Sequence, residues 1–229
     1  MFKILKKIVM VCLPYGIIML VRRYLRKFPG SREYWESRYA EGGNSGAGSY
    51  NKLAEFKAEI INNFVKENCV QTVIEFGCGD GNQLSLAHYQ KYTGFDVSET
   101  AITLCKKRFK GDNTKTFRLL NGGGGYNIID NADLVLSLDV IYHLIENSVF
   151  EVYMECLFRT STKFVIIYAC DYDDEISYHV KPRKFTKYIE EKIKGWALLE
   201  HIPNKYPHNE NDPQNTSWSE FYIYTKIKE

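Results

Sequence analysis

The chain has 229 residues, 45% of them hydrophobic and 25% charged, with a formal net charge of +2. That length and composition fit one domain with a full core, and they exclude wholesale disorder and collagen-like repeats. The charge is uneven: residues 1–30 hold seven bases and no acid, and the other 199 residues hold 23 bases and 28 acids, a balance of −5 that argues against a general nucleic-acid binder.

Residues 8–21 form an uncharged run of 14, interrupted by Pro14 and Gly16. A spanning helix needs about 20 apolar residues. Arg22 and Arg23 follow where a secretory signal would place small residues. Residues 1–30 are therefore expected to be a basic apolar N-terminal segment, with three readings open. It is a helix or hairpin in the membrane interface, a segment docked on the body or on a second subunit, or a short bitopic anchor. Phe2 excludes N-myristoylation. The six cysteines form no CxxC pair and the five histidines show no zinc-ligand spacing, so reduced thiols, a cytoplasmic setting (at the inner membrane face on the first reading) and no metal site are expected.

Residues 31–40 read as a short helix opened by Ser31 as N-cap, and residues 41–50 as a glycine- and serine-rich loop. Over residues 51–67, Leu53, Phe56, Ile60, Ile61 and Phe64 fall on one stripe at helical spacing. Thr72–Phe76 reads as a buried strand running into Gly77, with a short helix near residues 84–87. A second strand over residues 91–95 ends at Asp96, and Ser98 caps a helix reaching Phe109. A third strand spans residues 116–120, and four consecutive glycines, 122–125, must be loop. Ala132–Leu138 is almost wholly apolar, which suits a central strand. A helix over residues 149–159, a fifth strand over 163–169, a polar connection over 171–181 and a helix over 185–194 follow. Two late strands are expected at Trp196–Ile202 and residues 221–227. Strand and helix alternate from residue 51 to 195, the pattern of a doubly wound α/β sheet, here of seven mostly parallel strands with an antiparallel edge hairpin.

The sharpest motif is Val73-Ile74-Glu75-Phe76-Gly77-Cys78-Gly79-Asp80-Gly81-Asn82. A strand runs into three glycines at alternate positions and then a helix. No Lys-Ser/Thr pair follows Gly81, so a phosphate-binding P-loop fails. A GxGxxG fingerprint would need a glycine at Asn82, so the dinucleotide reading fails too. Glu75 and Asp80 would repel a pyrophosphate and suit a ligand with a cationic end.

In VIEFGCGDGNQL at residues 73–84, with GFDVSETAI at 94–102, the sequence resembles the class I S-adenosylmethionine-dependent methyltransferases. The resemblance implies a Rossmann-like domain over residues 31–229 that binds S-adenosylmethionine. It implies that Gly77, Gly79 and Gly81 wrap the methionine part, with Cys78 and Asn82 beside them and Glu75 or Asp80 orienting it. Asp96, followed by Val97, would hold the ribose, and Leu120 and Asn121 would sit by the adenine. The wider likeness is to bacterial methyltransferases found with surface-polysaccharide genes, and the leading expectation is methylation of an oxygen (hydroxyl or phosphate) on a small-molecule, sugar or phosphate-bearing acceptor, with N-methylation of a small metabolite or a non-catalytic S-adenosylmethionine-binding scaffold as the alternatives.

In an open α/β sheet the site lies beyond the carboxyl ends of the strands. There the fourth strand is followed by Asp139, Tyr142 and His143. His143 is the candidate base, since imidazole titrates near operating pH, or else a histidine that hydrogen-bonds the turn. Tyr142 lines the acceptor pocket or packs, and Asp139 contacts the cofactor side or caps the next helix. Beyond the fifth strand, His179 and Arg183 could grip an anionic acceptor. Residues 31–50 are expected to act as an N-terminal lid, with Trp35, Tyr39 and Tyr50 closing the site and Tyr39 on the acceptor side.

Overall fold

The computed structural model describes residues 28–120, 130–174 and 178–227. The basic apolar segment up to residue 27, Asn121 and the glycine run 122–125 lie outside the described residues.

Seven strands form one sheet: β1 (Thr72–Phe76), β2 (Lys91–Asp96), β3 (Lys115–Leu119), β4 (Ala132–Leu138), β5 (Ser161–Ala169), β6 (Trp196–Ile202) and β7 (Glu220–Lys226). Their order is β3-β2-β1-β4-β5-β7-β6. The first five run parallel, and β7 lies antiparallel between β5 and β6, so the late hairpin closes one edge of the sheet. The described helices are α1 (Ser31–Ala40), α2 (Asn51–Glu67), α3 (Glu99–Arg108), α4 (Asn147–Thr160) and α5 (Phe185–Lys192). The helix expected near residues 84–87 is a single 3₁₀ turn, Gln83–Leu86.

Both faces of the sheet are covered, which is why its central strands are apolar at consecutive positions. Val73, Leu134, Leu136 and Ile166 point to one face and pack with Phe56, Ile61 and Phe64 of α2 and Ile102 and Cys105 of α3. Ile74, Phe76, Val135, Val165 and Ile167 point to the other and pack with Phe150, Met154 and Leu157 of α4 and Phe185 and Ile189 of α5. The chain winds outward from β1 to β3 on one side and from β4 to β5 on the other. The crevice for a ligand therefore opens beyond the carboxyl ends of β1 and β4, where the strand order reverses.

α1 lies across this crevice, held by polar contacts. Its N-cap is Gly30 at φ 113°, so Ser31 is the first helical residue and not the cap expected from its residue type. The Ser31 hydroxyl donates instead to Glu146 (2.7 Å) and to the His143 carbonyl (3.0 Å), while Glu146 accepts the Ser31 amide at 3.1 Å. A carboxylate from the segment after β4 thus caps α1 at its positive end. The reverse clamp comes from Glu36 of α1. Its carboxylate accepts from the Thr100 hydroxyl and amide and the Ser98 hydroxyl at the start of α3, contacts that hold it below the usual carboxylate range. Ser98 itself caps α3 by accepting the Ala101 amide at 3.0 Å.

Leu136 is fully buried at the middle of β4. Leu136→Ala should cost about 2–5 kcal/mol of unfolding free energy, read from urea denaturation.

Candidate active site

The turn after β1 forms one wall of a cavity of about 670 Å³, a size typical of small-molecule sites. Gly79 sits at φ 55°, and a Cβ there would collide with the Ser45 hydroxyl and lie 2.9 Å from the Tyr39 hydroxyl. Gly77, at φ 84°, likewise has the Val140 side chain where a Cβ would go. Gly81 faces the other way, toward Phe109 and Cys105, and lets α3 pack against the turn. The glycine spacing therefore lets the turn pack closely against Ser45 and Tyr39, against Val140 and against α3.

Two buried carboxylates flank the turn. Glu75 accepts the Tyr92 hydroxyl at 2.6 Å. Burial raises its pKa to about 7, against the opposing pull of Tyr92 and the Lys57 cation. Asp96 accepts the Gly79 amide and the Ser98 amide, each at 2.9 Å. Burial again dominates and lifts it to about 6. Both residues line the cavity, as do Cys78, Val97 and Leu120.

Beyond β4, Asp139 adopts φ 59°, a left-handed conformation that aspartate tolerates better than most residues. Its carboxylate forms an ion pair with Lys57 at 2.7 Å and accepts the Tyr142 hydroxyl at 2.9 Å and the Ser219 hydroxyl at 3.1 Å. Lys57 is fully buried in α2 and also lies 5.1 Å from the centre of the Tyr168 ring. Nothing in the motif pattern pointed to Lys57. The available signal was a lysine between Leu53 and Ile61 on the apolar stripe of α2, a place where lysine is found only when paired.

His143 lines the cavity next to Asp139. Its Nδ1 lies 3.0 Å from the His179 carbonyl. A carbonyl only accepts, so Nδ1 carries the hydrogen and Nε2 carries the lone pair. Burial, with the nearby His179 and Arg38, lowers the His143 pKa to about 4, so the ring is neutral at physiological pH. Trp35 meets it edge-on at 5.0 Å. Trp35 and Tyr39 of α1 line the same cavity.

The remaining residues singled out in the sequence take other positions. Asp80 accepts the Tyr50 hydroxyl (2.7 Å), the Ser45 amide (3.0 Å) and the Asn82 amide (2.9 Å). These contacts outweigh the effect of burial and hold its pKa below the usual range. Asn82 donates to the Ser49 carbonyl at 2.8 Å. Both side chains tie the 44–50 loop to the glycine turn instead of facing the cavity. Tyr142 braces Asp139 from outside the cavity wall. Arg183 donates to the carbonyls of Leu144 and Ile145 and to the Asn147 side chain, and its guanidinium lies 4.7 Å from the centre of the Phe150 ring. It clamps the segment after β4, and the His179 ring stacks on Tyr34 at 4.8 Å. Neither reaches the cavity wall. Asn121 lies outside the described residues. Among residues given no role from the sequence, Arg32 lines the cavity and donates to the Leu120 carbonyl, and Glu33, Glu146 and Gln83 line it as well. No cluster of metal-ligating side chains occurs among the described residues.

A sheet of this order, with a glycine turn after β1 and a carboxylate at the end of β2, defines a Rossmann-like methyltransferase fold. Residues 74–160 match the family model described as a methyltransferase domain, and the chain carries an S-adenosylmethionine-dependent methyltransferase domain. No curated protein matches the sequence. Solved structures share the fold at low identity. The N-methyltransferase NodS from Bradyrhizobium japonicum, in complex with S-adenosylhomocysteine, has a TM-score of 0.64 and 15% identity over 87% of this chain and 100% of that one. Magnesium protoporphyrin IX methyltransferase from Synechocystis, also with S-adenosylhomocysteine, has a TM-score of 0.59 and 15% identity over 85% and 97%. The methyltransferase domain of a bacterial Hen1 protein has a TM-score of 0.58 and 18% identity over 75% and 97%.

The cavity's residues fit the cofactor. Buried carboxylates at the ends of β1 and β2 suit a ligand with cationic and hydroxyl groups. A buried acceptor, Gln83 Oε1, has no hydrogen-bond partner among the described residues.

Two outcomes follow for the protein without ligand. Lys57→Met leaves the Asp139 carboxylate without its cation and should destabilise by about 3–5 kcal/mol, whereas Lys57→Met with Asp139→Leu should recover much of that loss in the same denaturation assay. The raised pKa values of Glu75 and Asp96 mean that the folded state keeps their protons to higher pH than the unfolded chain. Stability should therefore fall as pH rises from about 4 to about 7, by on the order of a few kcal/mol, and Glu75→Gln should flatten the upper part of that fall.

Proposed function

We propose that this chain methylates a hydroxyl oxygen on a sugar-type or other small polyhydroxylated acceptor, with His143 as the base. The observation that carries this reading is the His143 ring, neutral and fixed through Nδ1 on the His179 carbonyl, with the Nε2 lone pair left to take a proton. The glycine turn and Glu75 hold the methionine part of the cofactor, Asp96 holds the ribose, and Val97 and Leu120 flank the adenine. When bound, S-adenosylmethionine supplies an electrophilic methyl group on a sulfonium. The protein's task is to align the acceptor oxygen with that methyl and to exclude water, and positioning of this kind is worth about 7–11 kcal/mol in the best cases. His143 takes the hydroxyl proton as the oxygen becomes nucleophilic. Asp139, fixed by Lys57, holds the turn that presents His143.

At the α1 side of the cavity, the carboxylates of Glu33 and Glu146 stand beside Ser31, Ser148 and Trp35. Carboxylates and hydroxyls next to an aromatic ring match the hydroxyls and apolar face of a sugar, and they disfavour a phosphate or carboxylate acceptor. The same carboxylates support a second reading, an amine acceptor methylated on nitrogen. Residues 31–50 serve as the lid in either case, with α1 fastened by Glu146 and Glu36 and the loop by Asp80. Residues 1–28 serve peripheral membrane contact through their basic charge and the 14-residue apolar run, and no described helix is long and apolar enough to cross a membrane. A membrane-proximal position suits an acceptor on a lipid carrier of surface-polysaccharide synthesis.

Mass spectrometry of products from a panel of sugars, amines and carboxylates decides the acceptor; a product methylated on carboxylate would overturn the proposal. With an acceptor in hand, His143→Ala should lower kcat at least tenfold while leaving cofactor affinity within about twofold. Near-normal turnover would leave His143 a structural residue. Asp96→Ala should abolish measurable cofactor binding in calorimetry. Affinity for the sulfonium cofactor should rise by about tenfold between pH 6 and 8 as Glu75 and Asp96 ionise, with the acid limb of kcat near pH 4 from His143. Deleting residues 1–28 should leave that affinity unchanged and abolish sedimentation with anionic vesicles.

A further inference from the structure

Residues 1–27 hold seven bases and no acid, and the last four of those bases, Arg22, Arg23, Arg26 and Lys27, come just before Phe28. Phe28 packs on two rings from other parts of the chain. Its ring centre lies 6.3 Å from Tyr34 of α1 and 6.1 Å from Tyr178, and Tyr34 meets Tyr178 edge-on at 6.1 Å. All three residues are half-buried, and none of them belongs to either apolar cluster of the sheet. The mouth of the cavity is close by. Glu33, Ser148 and Val152 line the cavity and are also exposed, so the mouth opens between the start of α1 and the start of α4. Ser31, another lining residue, comes four residues after Lys27, and a chain of that length spans at most about 14 Å. Tyr178 in turn precedes His179, whose carbonyl fixes His143.

We propose that this mouth is the face of the protein that meets an anionic membrane, with the Phe28, Tyr34 and Tyr178 rings as its interfacial anchor and the bases just before Phe28 on the lipid headgroups. The proposal rests on the membrane contact proposed for residues 1–28 and adds which face of the body is turned to the bilayer. The constraint is one of reach: a surface that holds Arg26 and Lys27 lies only a few residues of chain from the cavity lining, so binding through these bases brings the mouth to the bilayer. Tyrosine favours the headgroup layer, where its ring is buried and its hydroxyl stays wet, and basic side chains beside it are drawn to anionic lipid. The competing apolar surface is β6, where Leu198 and Leu199 are 50% and 51% exposed. It lies at the edge of the sheet, three strands beyond β4, whereas the end of the basic segment is tied through Ser31 to the turn directly after β4. In the proposed orientation the polar head of a lipid-borne acceptor reaches His143 without the lipid leaving the bilayer.

The test is co-sedimentation of the full chain with vesicles of phosphatidylcholine and phosphatidylglycerol. Phe28→Ser with Tyr178→Ser should weaken binding by on the order of tenfold, as expected when two rings lose their place in the interface, and Leu198→Ser with Leu199→Ser should leave it within about twofold of wild type. A loss confined to the β6 variant, or equal binding of all three proteins, would overturn the orientation while the membrane contact of residues 1–28 stands. If the wild-type chain does not sediment, that contact itself fails and the orientation falls with it. Because the Phe28 and Tyr178 changes can loosen α1, hydrogen exchange of the wild-type chain gives a second measurement that needs no variant. Vesicles should slow amide exchange in residues 28–40 and 146–152 and leave residues 196–202 as they were. Slowing at 196–202 without slowing at 28–40 sinks the proposal.

Discussion

The ion pair between Lys57 and Asp139 joins the parts of the molecule that must meet at the cavity. Lys57 lies in α2, Asp139 ends the central strand, and Ser219 precedes β7, so three remote stretches converge on one carboxylate. Gly48, just ahead of α2, presses so closely on the same carboxylate that a Cβ would lie 2.6 Å from its oxygen. Such a pair adds little net stability over an apolar alternative, because both ions lose their hydration. Its effect is on geometry. With its carboxylate committed to Lys57, Tyr142 and Ser219, Asp139 is held at a positive φ that backbone preference alone would not select. The turn carrying His143 starts from that residue.

The N-terminal elements are attached by a different kind of contact. The sheet is held by apolar burial on both faces. α1 buries only Ser31 and Tyr39 and is fastened by carboxylates placed at helix N-termini, Glu146 on α1 and Glu36 on α3, together with the ring contacts of Tyr34 with His179 and Trp35 with His143. The loop that follows is tied by Asp80 and Asn82 of the glycine turn. Polar fastenings of this sort exchange readily with water and carry far less free energy than the core. A segment held this way can release while the sheet stays intact, which is the property the proposed lid requires.

The scaffold was legible because its signals are local. β4 falls at Ala132–Leu138, as its apolar run predicted, β6 falls at the expected Trp196–Ile202, and Asp96 ends β2 as expected. What stayed hidden depends on contacts between distant residues. Spacing shows that Asp80 is near the glycine turn, but not that Tyr50 and Ser45 occupy its oxygens. Arg183 reads as a cation for an anionic acceptor until the carbonyls of Leu144 and Ile145 appear in front of it. Ser31 has the chemistry of a cap, yet Gly30, with its positive φ, takes the cap position and frees the hydroxyl for Glu146. In each case a polar residue had two plausible partners, and only the three-dimensional arrangement selects one.

The acids of the cavity explain why a cationic cofactor suits this site. Burial lifts Glu75 to about 7 and Asp96 to about 6, so their ionisation near neutral pH costs more than it would in an exposed carboxylate. A ligand carrying sulfonium and ammonium charge offsets that cost at the moment it binds, so part of the attraction comes from relieving strain already present in the protein. After methyl transfer the sulfur is neutral, and the offset shrinks by one charge. On the proposed assignment of Glu75 and Asp96 to the cofactor, the burial that raises the two carboxyl pKa values would favour the charged methyl donor over its neutral-sulfur product.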